Sequence, residues 1–208
     1  RVLDAGCGDG LLTLSLAKRH PDWALLGVDR RADLLDGARA RAAGRGLGNV
    51  RFQPADLTQP LPEGDFGAVF ALECLHEIPD DAAALQSMAG ALAPGGLLAL
   101  QVPRRDWTPV LPGSTGIWRE EVRHGYGTDE IEADVRAVGL EPFELRPTYR
   151  SLAAAAQEIR DRIKGAPLLL RLLAFPFLAA AVRLERLGLT WGEPSATLVL
   201  ARRPRQST

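Results

Sequence analysis

The sequence predicts an α/β fold, in which a doubly wound and mostly parallel sheet of seven strands carries a helical insertion before its last strand. Apolar runs of strand length alternate with segments whose apolar residues have helical spacing. A glycine-rich turn joins the first strand to the first helix, and the next apolar runs are each followed by an acidic residue. This alternation indicates parallel strands joined by right-handed helical crossovers on both faces of the sheet.

Composition indicates one ordered domain. The 208 residues are 46% hydrophobic and 25% charged, which is ordinary for a globular protein. We expect a single domain over residues 1–208, with a core of residues 1–150 and 193–208 and an insertion at 151–192. The net charge of −1 gives no general attraction to nucleic acid, so no nucleic-acid partner is predicted. Two cysteines without disulfide or metal spacing, and no secretory signal, predict a cytoplasmic location.

The first strand, at Val2 and Leu3, runs directly into a turn with glycines at alternate positions. Such a turn lets the backbone adopt positive φ and touch a ligand directly. The segment that follows has the apolar spacing of a helix packed on a sheet, with Leu11, Leu12, Leu14, Leu16 and Ala17. A dinucleotide fingerprint would place its third glycine at position 11, so Leu11 argues against a nicotinamide-dependent dehydrogenase.

Acidic residues follow the next three predicted strands. The second strand, at residues 24–29, ends in Asp29, where a ribose-binding carboxylate belongs. The third, at 50–53, is followed by Asp56. The fourth, at 67–72, runs into Glu73 and then into Leu-His-Glu-Ile-Pro at 75–79. Because the carboxyl ends of parallel strands share one edge of the sheet, these residues should converge there.

Taken in order, these motifs resemble those of the class I S-adenosylmethionine (SAM)-dependent methyltransferases, in the group that acts mostly on small molecules. The run DAGCGDG at residues 4–10 is similar to the family's motif I, and the stretch ending at residue 79 is similar to its motif IV. The resemblance covers residues 1–102 closely and the rest in outline. It implies a Rossmann-like fold, SAM as the cofactor, and a helix before the first strand, which we expect to be missing from residues 1–208.

The resemblance also implies which residues contact the cofactor. Asp29 would accept hydrogen bonds from both ribose hydroxyls. Asp56 would accept from the adenine amino group while Leu57 packs against the ring. Glu73 either holds the amino group of the methionine portion or shapes the loop. The full cofactor set comprises Asp4, Gly6, Cys7, Gly8, Gly10, Asp29, Arg30, Asp56, Leu57 and Glu73.

The remaining elements complete the sheet. A helix at residues 80–92 ends at Pro-Gly-Gly, a stop and turn, before a fifth strand at 97–102. A helix at 128–138 has Thr128 or Asp129 as its cap and Gly139 as its stop, and a sixth strand follows at 141–146. By resemblance, the last strand, at 196–201, runs antiparallel between the fifth and sixth.

The insertion begins with a polar-sided helix at residues 151–164 and continues with an apolar stretch at 167–182 that contains Arg171 and Pro176. This stretch is too short for a membrane span. Three interpretations of the apolar stretch stay open: a lid over an apolar substrate pocket, a helix lying on a membrane surface through 167–189, or a dimer or core helix.

Methyl transfer by in-line displacement needs alignment more than catalytic side chains. An acceptor hydroxyl or ammonium must lose a proton, and the candidate bases are His76, Glu73 and His124, with Glu77 beside them. Residues expected at the substrate mouth are Trp107, Trp118, Gly125, Tyr126 and Gly127. The segment after the fifth strand supplies no set of metal ligands, so no metal is predicted.

We therefore expect transfer of a methyl group from SAM to a small, apolar hydroxyl or carbon nucleophile. Two alternatives stay open: a membrane-associated lipid or quinone methyltransferase, and a SAM-binding protein without catalysis. A homodimer is compatible with the apolar insertion.

Overall fold

A computed structural model describes residues 1–61, 63–112, 122–148, 151–163, 167–187 and 193–205. The strands are β1 (Val2–Ala5), β2 (Leu25–Asp29), β3 (Val50–Pro54), β4 (Phe66–Leu72), β5 (Leu92–Pro103), β6 (Glu141–Thr148) and β7 (Ala196–Arg202). The helices are α1 (Leu11–Arg19), α2 (Ala32–Gly44), α3 (Asp81–Ala91), α4 (Thr128–Ala137), α5 (Ser151–Arg162) and α6 (Leu168–Arg186), with a short 3-10 helix at Leu75–Glu77.

The strands form one sheet in the order β3-β2-β1-β4-β5-β7-β6. Neighbours from β3 to β5 are parallel, whereas β7 is antiparallel to both β5 and β6. The predicted doubly wound fold is confirmed, including the antiparallel position of the last strand.

Helices cover both faces of the sheet, so β1 and β2 are buried along their whole length. One apolar cluster includes Leu3, Val69 and Leu98 with residues of α3 and α4. The other includes Leu14 and Leu35 from α1 and α2. β1 and β4 are neighbouring parallel strands near the centre of this sheet, so their carboxyl ends lie side by side.

Helix α1 is rotated relative to the sequence prediction. Its buried residues are Thr13, Leu14 and Ala17, whereas the Leu11 side chain is 62% exposed. A hydrogen bond explains this orientation. The Thr13 hydroxyl donates to the buried Asp4 carboxylate at 2.5 Å, so the side of the helix that carries Thr13 faces the sheet. The prediction that Leu11 belongs to the packed face is wrong.

Three predicted boundaries are corrected. β5 begins at Leu92 rather than at residue 97, with an irregular register before Ala68 of β4 where the Pro-Gly-Gly segment passes. The N-cap of α4 is Gly127 rather than Thr128 or Asp129, because the Glu130 side chain accepts from the Gly127 N–H at 3.0 Å. β6 extends to Thr148, since β7 pairs with it that far.

The insertion contains two helices that pack against each other, α5 and α6. α6 continues through Pro176, although this residue cannot donate a backbone hydrogen bond. Within the described part of the chain, no helix has the length and apolarity needed to cross a membrane.

Candidate active site

A cavity of about 370 Å³ opens at the carboxyl ends of the parallel strands. Its lining brings together residues from four separate segments: the glycine turn, the end of β2, the segment after β3 and the segment after β4. They are Gly6, Asp29, Arg30, Arg31, Ala55, Asp56, Leu57, Thr58, Cys74, Glu77, Ile78, Pro79 and Asp80. Of the predicted cofactor residues, Gly6, Asp29, Arg30, Asp56 and Leu57 therefore line the same cavity.

The turn glycines are needed for different reasons. Gly6 has φ +72°, and a Cβ there would lie 2.5 Å from the Cβ of Cys74. Gly10 has φ +75°, and a Cβ there would meet the Phe52 ring at 2.7 Å. Gly6 therefore lets the turn pass close to the segment after β4 at the cavity, whereas Gly10 lets the first helix close onto β3.

Asp29 is buried, and its carboxylate holds the turn in place. Oδ2 accepts from the Gly8 N–H at 2.8 Å, and Oδ1 accepts from the Arg31 N–H at 2.9 Å. Arg31 Nε also donates to Oδ1, at 3.5 Å. Because a carboxylate has about four acceptor positions, these three bonds leave an acceptor position, on Oδ2, for a hydroxyl donor from the cavity. This ordering of the glycine turn by Asp29 was not predicted from the sequence.

Asp56 and Leu57 form one wall of the cavity. The Asp56 carboxylate is exposed and accepts from the backbone N–H and the hydroxyl of Thr58, at 2.9 and 2.8 Å. These hydrogen bonds hold the pKa of Asp56 below its usual range. Leu57 is buried in the core cluster beside Gly6. The wall thus presents a carboxylate above an apolar surface.

Asp4 and Cys7 are placed beside the cavity rather than in its lining. Asp4 lies beneath the turn, where burial raises its pKa to about 6 despite the hydrogen bond from Thr13. Cys7 is half-buried, with its sulfur close to Gly27 of β2. Both cysteines are free thiols, and burial raises the pKa of Cys7 and of Cys74. Cys74 lines the cavity, and its thiol donates to the Ala5 carbonyl at 3.3 Å.

Glu73 follows β4 in a left-handed backbone conformation, φ +57°, that is unusual for a non-glycine residue. Two bonds hold it there: its N–H donates to the Gln101 carbonyl at 3.0 Å, and Gln101 Nε2 donates to Glu73 Oε1 at 2.8 Å. The Thr148 hydroxyl donates to Gln101 Oε1 at 3.4 Å. The ends of β4, β5 and β6 are thereby joined through side chains. Strain of this kind is concentrated at functional sites.

His76 is buried in the 3-10 helix, and only 3% of the residue is exposed. Burial lowers the pKa of His76 to about 4, so its imidazole is neutral at pH 7. Among the described residues, its Nδ1 has no hydrogen-bond partner. A neutral imidazole can take a proton, but in this conformation His76 is covered.

The segment at 122–127 lies against His76. The His76 carbonyl accepts from the N–H groups of Val122 and Arg123, at 3.1 and 3.2 Å. His124 is exposed. Tyr126, predicted at the mouth, is instead buried in the core cluster, where its hydroxyl donates to Asp81 at 2.9 Å. Trp107 is also buried, and Trp118 lies outside the described residues.

A charged cluster holds this segment in place, and the sequence analysis missed it. Arg123 donates to Asp81 at 2.7 Å and to Glu130, and its guanidinium lies over the Tyr126 ring at 4.2 Å. Arg105 also pairs with Glu130. The sequence does contain these opposite charges, but Asp81, Arg105 and the pair Arg123 and Glu130 lie in separate parts of the chain, so no local pattern links them.

Within the described ranges, no group of His, Cys, Asp and Glu side chains could hold a metal ion.

Comparison with known proteins identifies the family. A family model described as a methyltransferase domain matches residues 2–96. A trans-aconitate 2-methyltransferase of Methylobacterium nodulans is 41% identical over 103 residues, covering 50% of this chain and 38% of that protein. The trans-aconitate 2-methyltransferase of Methylobacterium radiotolerans is 30% identical over 221 residues, covering 84% of this chain and 83% of that protein.

The chain belongs to the class I SAM-dependent methyltransferases. Its cofactor is accordingly SAM. Among solved structures, the phosphoethanolamine N-methyltransferase 2 of Haemonchus contortus, in complex with SAM, has a TM-score of 0.72 at 20% identity, covering 99% of this chain and 49% of that chain. This likeness shows the Rossmann-like fold that the methyltransferase shares with it.

The cavity of this methyltransferase fits its cofactor. The turn at Gly6 has no space for a Cβ, so backbone rather than side chain faces the cavity there. Asp29 and Asp56 supply carboxylate oxygens for hydroxyl and amino donors, and Leu57 and Ile78 supply apolar surface for a ring.

Proposed function

We propose that this methyltransferase transfers the methyl group of SAM to an oxygen or carbon nucleophile of a small, largely apolar molecule. The observation that carries the proposal is the convergence of Gly6, Asp29 and Asp56 on one cavity beside the end of β4. SAM supplies an electrophilic methyl group on a sulfonium, and the chain supplies alignment.

On the cofactor side, Asp29 accepts from ribose hydroxyls and Asp56 from the adenine amino group. Leu57 packs against the adenine ring, and Glu73 faces the methionine portion. Gly6 and Arg30 line the same cavity, and the remaining predicted cofactor residues act through the glycine turn. Asp4 anchors the first helix by its bond from Thr13, and Gly8 is held by Asp29.

The charges near the end of β5 favour an acceptor with little negative charge. Arg104 donates two bonds to Asp106, at 3.0 and 2.7 Å. Arg105 and Arg123 both pair with Glu130. Because these guanidinium groups are engaged within the chain, a polyanionic acceptor would have to compete with carboxylates already in place.

The relatives' name gives a second candidate acceptor, trans-aconitate. It is a tricarboxylate, and its carboxylate oxygens need no general base at neutral pH. An apolar hydroxyl does need one, and His76, Glu73 and His124 are the candidates. His76 serves this purpose in a conformation that exposes its imidazole and so returns its pKa from about 4 toward 6.5.

The fold by itself does not establish catalysis, since a SAM-binding protein without transfer activity would keep the same cavity. Two measurements separate these functions. Calorimetric titration with SAM, S-adenosylhomocysteine and NAD tests the cavity, with Asp29→Ala as the variant and Asp36→Ala, an exposed aspartate of α2, as the control. Transfer of labelled methyl from SAM to apolar hydroxyl compounds and to trans-aconitate tests the reaction.

We expect saturable binding of SAM and S-adenosylhomocysteine, none of NAD, and a loss of affinity only in Asp29→Ala. Methylation of apolar hydroxyl compounds in preference to trans-aconitate supports the proposal. Preference for trans-aconitate would replace the proposed acceptor with the second candidate. Binding without transfer to any acceptor would overturn the proposed catalysis.

A further inference from the structure

The outward face of α6 carries a continuous apolar surface. Five of its large side chains are exposed, Leu169 by 69%, Leu173 by 60%, Phe175 by 68%, Phe177 by 76% and Leu184 by 42%, and Leu187, directly after the helix, is exposed by 74%. At about 100° per residue, Leu169, Leu173, Phe177, Leu184 and Leu187 fall within about 80° of one another around the helix axis, whereas Phe175 lies on the other side. We call the five residues that lie together the α6 stripe. Half-buried positions, Ala174, Leu178 and Ala181, lie on the adjoining face, and α6 packs against α5.

Soluble proteins rarely expose a contiguous apolar surface of this size without a partner for it. The stripe follows helical periodicity for the length of α6, so it is a continuous surface rather than a set of scattered residues. The stripe gives α6 a long apolar side that could lie against an apolar phase, although exposed Phe175 shows that the other side is not purely polar.

Charge indicates the nature of that partner. Residues 151–192 contain six basic and three acidic residues, whereas the rest of the chain contains 19 basic and 23 acidic residues. The insertion is thus positively charged on an otherwise negatively charged protein. Arg183, which is exposed, lies in α6 itself. A basic apolar helix is attracted to a surface that combines negative charge with an apolar interior.

A second copy of the chain fits this surface less well. Two insertions facing each other would bring positive charge against positive charge. A helix of this length is about 28 Å long and about 10 Å wide, a footprint of about 300 Å², whereas each partner of a stable complex usually buries about 800 Å².

We propose that the α6 stripe docks on the surface of an anionic phospholipid membrane, with α6 lying in the plane of the interface. The insertion leaves the sheet at the end of β6 and returns at the start of β7, where Thr148 pairs with Ala196. This is the same edge of the sheet at which the cofactor cavity opens. Docking therefore holds the cavity edge close to the membrane. The inference does not depend on which acceptor is methylated.

The test is vesicle co-sedimentation of the full chain. The vesicles are phosphatidylcholine alone, or equal parts of phosphatidylcholine and phosphatidylglycerol. We expect binding to the anionic vesicles only, weakened by added salt. The double variant Leu173→Glu/Phe177→Glu should bind at least about tenfold more weakly. The control is Phe143→Glu, which changes a phenylalanine of β6 that is 54% exposed, and it should bind like the unmodified chain.

Circular dichroism and the unfolding midpoint verify that each variant is folded. Because the unmodified chain is itself compared on the two kinds of vesicle, the proposal is tested even where the double variant does not fold. Equal binding to both vesicles, or none to either, overturns it. A concentration-dependent dimer in sedimentation velocity, abolished by the double variant in the absence of vesicle binding, would assign the stripe to a second copy instead.

Discussion

The backbone N–H of Gly8 donates to the Asp29 carboxylate at 2.8 Å, so the glycine turn is tied to the end of β2 before any ligand enters the cavity. A single side chain thus both orders the turn and offers acceptors to the cavity. Preorganisation of this kind reduces the entropy that cofactor binding must overcome.

Substitution of Asp29 should separate these two roles. Asp29→Asn keeps one oxygen acceptor and removes the charge, and we expect SAM affinity to fall by about 1–3 kcal/mol. Asp29→Ala should lose the same affinity and also the amide-exchange protection of Gly8. Calorimetry and hydrogen exchange measure the two effects. Unchanged affinity in both variants would show that the ribose is bound elsewhere.

Gly6 and Gly46 offer a matched pair for testing the close approach of the turn to the segment after β4. Both have positive φ, but a Cβ at Gly6 meets Cys74 at 2.5 Å whereas a Cβ at Gly46 meets nothing within 4 Å. Gly46→Ala should cost only about 1–2 kcal/mol for its backbone conformation. Gly6→Ala should cost more in denaturant unfolding and should abolish SAM binding. Equal costs would refute the steric account.

Asp4 should make the protein less stable as pH rises. Its pKa is raised from 3.8 to about 6 by burial, so the folded state retains a proton that the unfolded chain has lost. The stabilising contribution is present below pH 3.8 and disappears as the pH rises through 6. We expect Asp4→Asn to be more stable than the unmodified chain at pH 8, by up to roughly 3 kcal/mol, and not at pH 3.5. Urea titrations at the two pH values measure this.

His76 should make the protein less stable as the pH falls, the opposite of the effect of Asp4. Burial lowers its pKa from 6.5 to about 4, so the unfolded chain takes up the proton first as pH falls. The contribution of a neutral His76 is present above pH 6.5 and is lost as the pH falls through 4, roughly 3 kcal/mol in all. His76→Asn should remove this acid sensitivity.

The same variant tests catalysis by His76. If His76 is the general base for an apolar hydroxyl acceptor, His76→Asn lowers kcat and leaves SAM affinity unchanged. Activity equal to that of the unmodified chain would leave His76 with a packing role only. His124→Asn, at an exposed position, tests the other candidate histidine: a loss of kcat in His124→Asn alone would assign the proton transfer to His124 instead.

Glu158 of α5 should stabilise the packing of the insertion against the segment after β5. Its buried carboxylate accepts from the N–H groups of Val110 and Leu111, at 2.7 and 3.0 Å. Glu158→Ala should lower stability by about 1–3 kcal/mol and expose residues 107–112 to hydrogen exchange and protease. Glu132→Ala, which removes only a surface ion pair with Arg136, should do neither.

Much of the fold follows from the sequence because it depends on local patterns. Apolar runs followed by Asp29, Asp56 and Glu73 place those residues at the edge of a parallel sheet, and the structure brings Asp29 and Asp56 to one cavity. The antiparallel position of β7 came from the resemblance, since no local pattern distinguishes that strand from its neighbours.

The errors concern side-chain contacts, some local and some between distant residues, that apolar periodicity does not show. Leu11 is exposed because Thr13 bonds to Asp4, and Gly127 caps α4 because Glu130 folds back to its N–H. The burial of Tyr126 depends on Asp81. In α6 the apolar residues surround much of the helix, so only its packing against α5 shows which residues form the exposed stripe.

The position of β7 has a consequence for how the protein is made. β7 is the most C-terminal of the described strands, and it lies between β5 and β6. During synthesis, the edge of β5 therefore has no partner on that side until the whole insertion has emerged from the ribosome. Pairings between distant segments form slowly, and an unpaired strand edge invites aggregation. A nascent chain should depend on chaperones most at the stage when α6 has been synthesised and β7 has not.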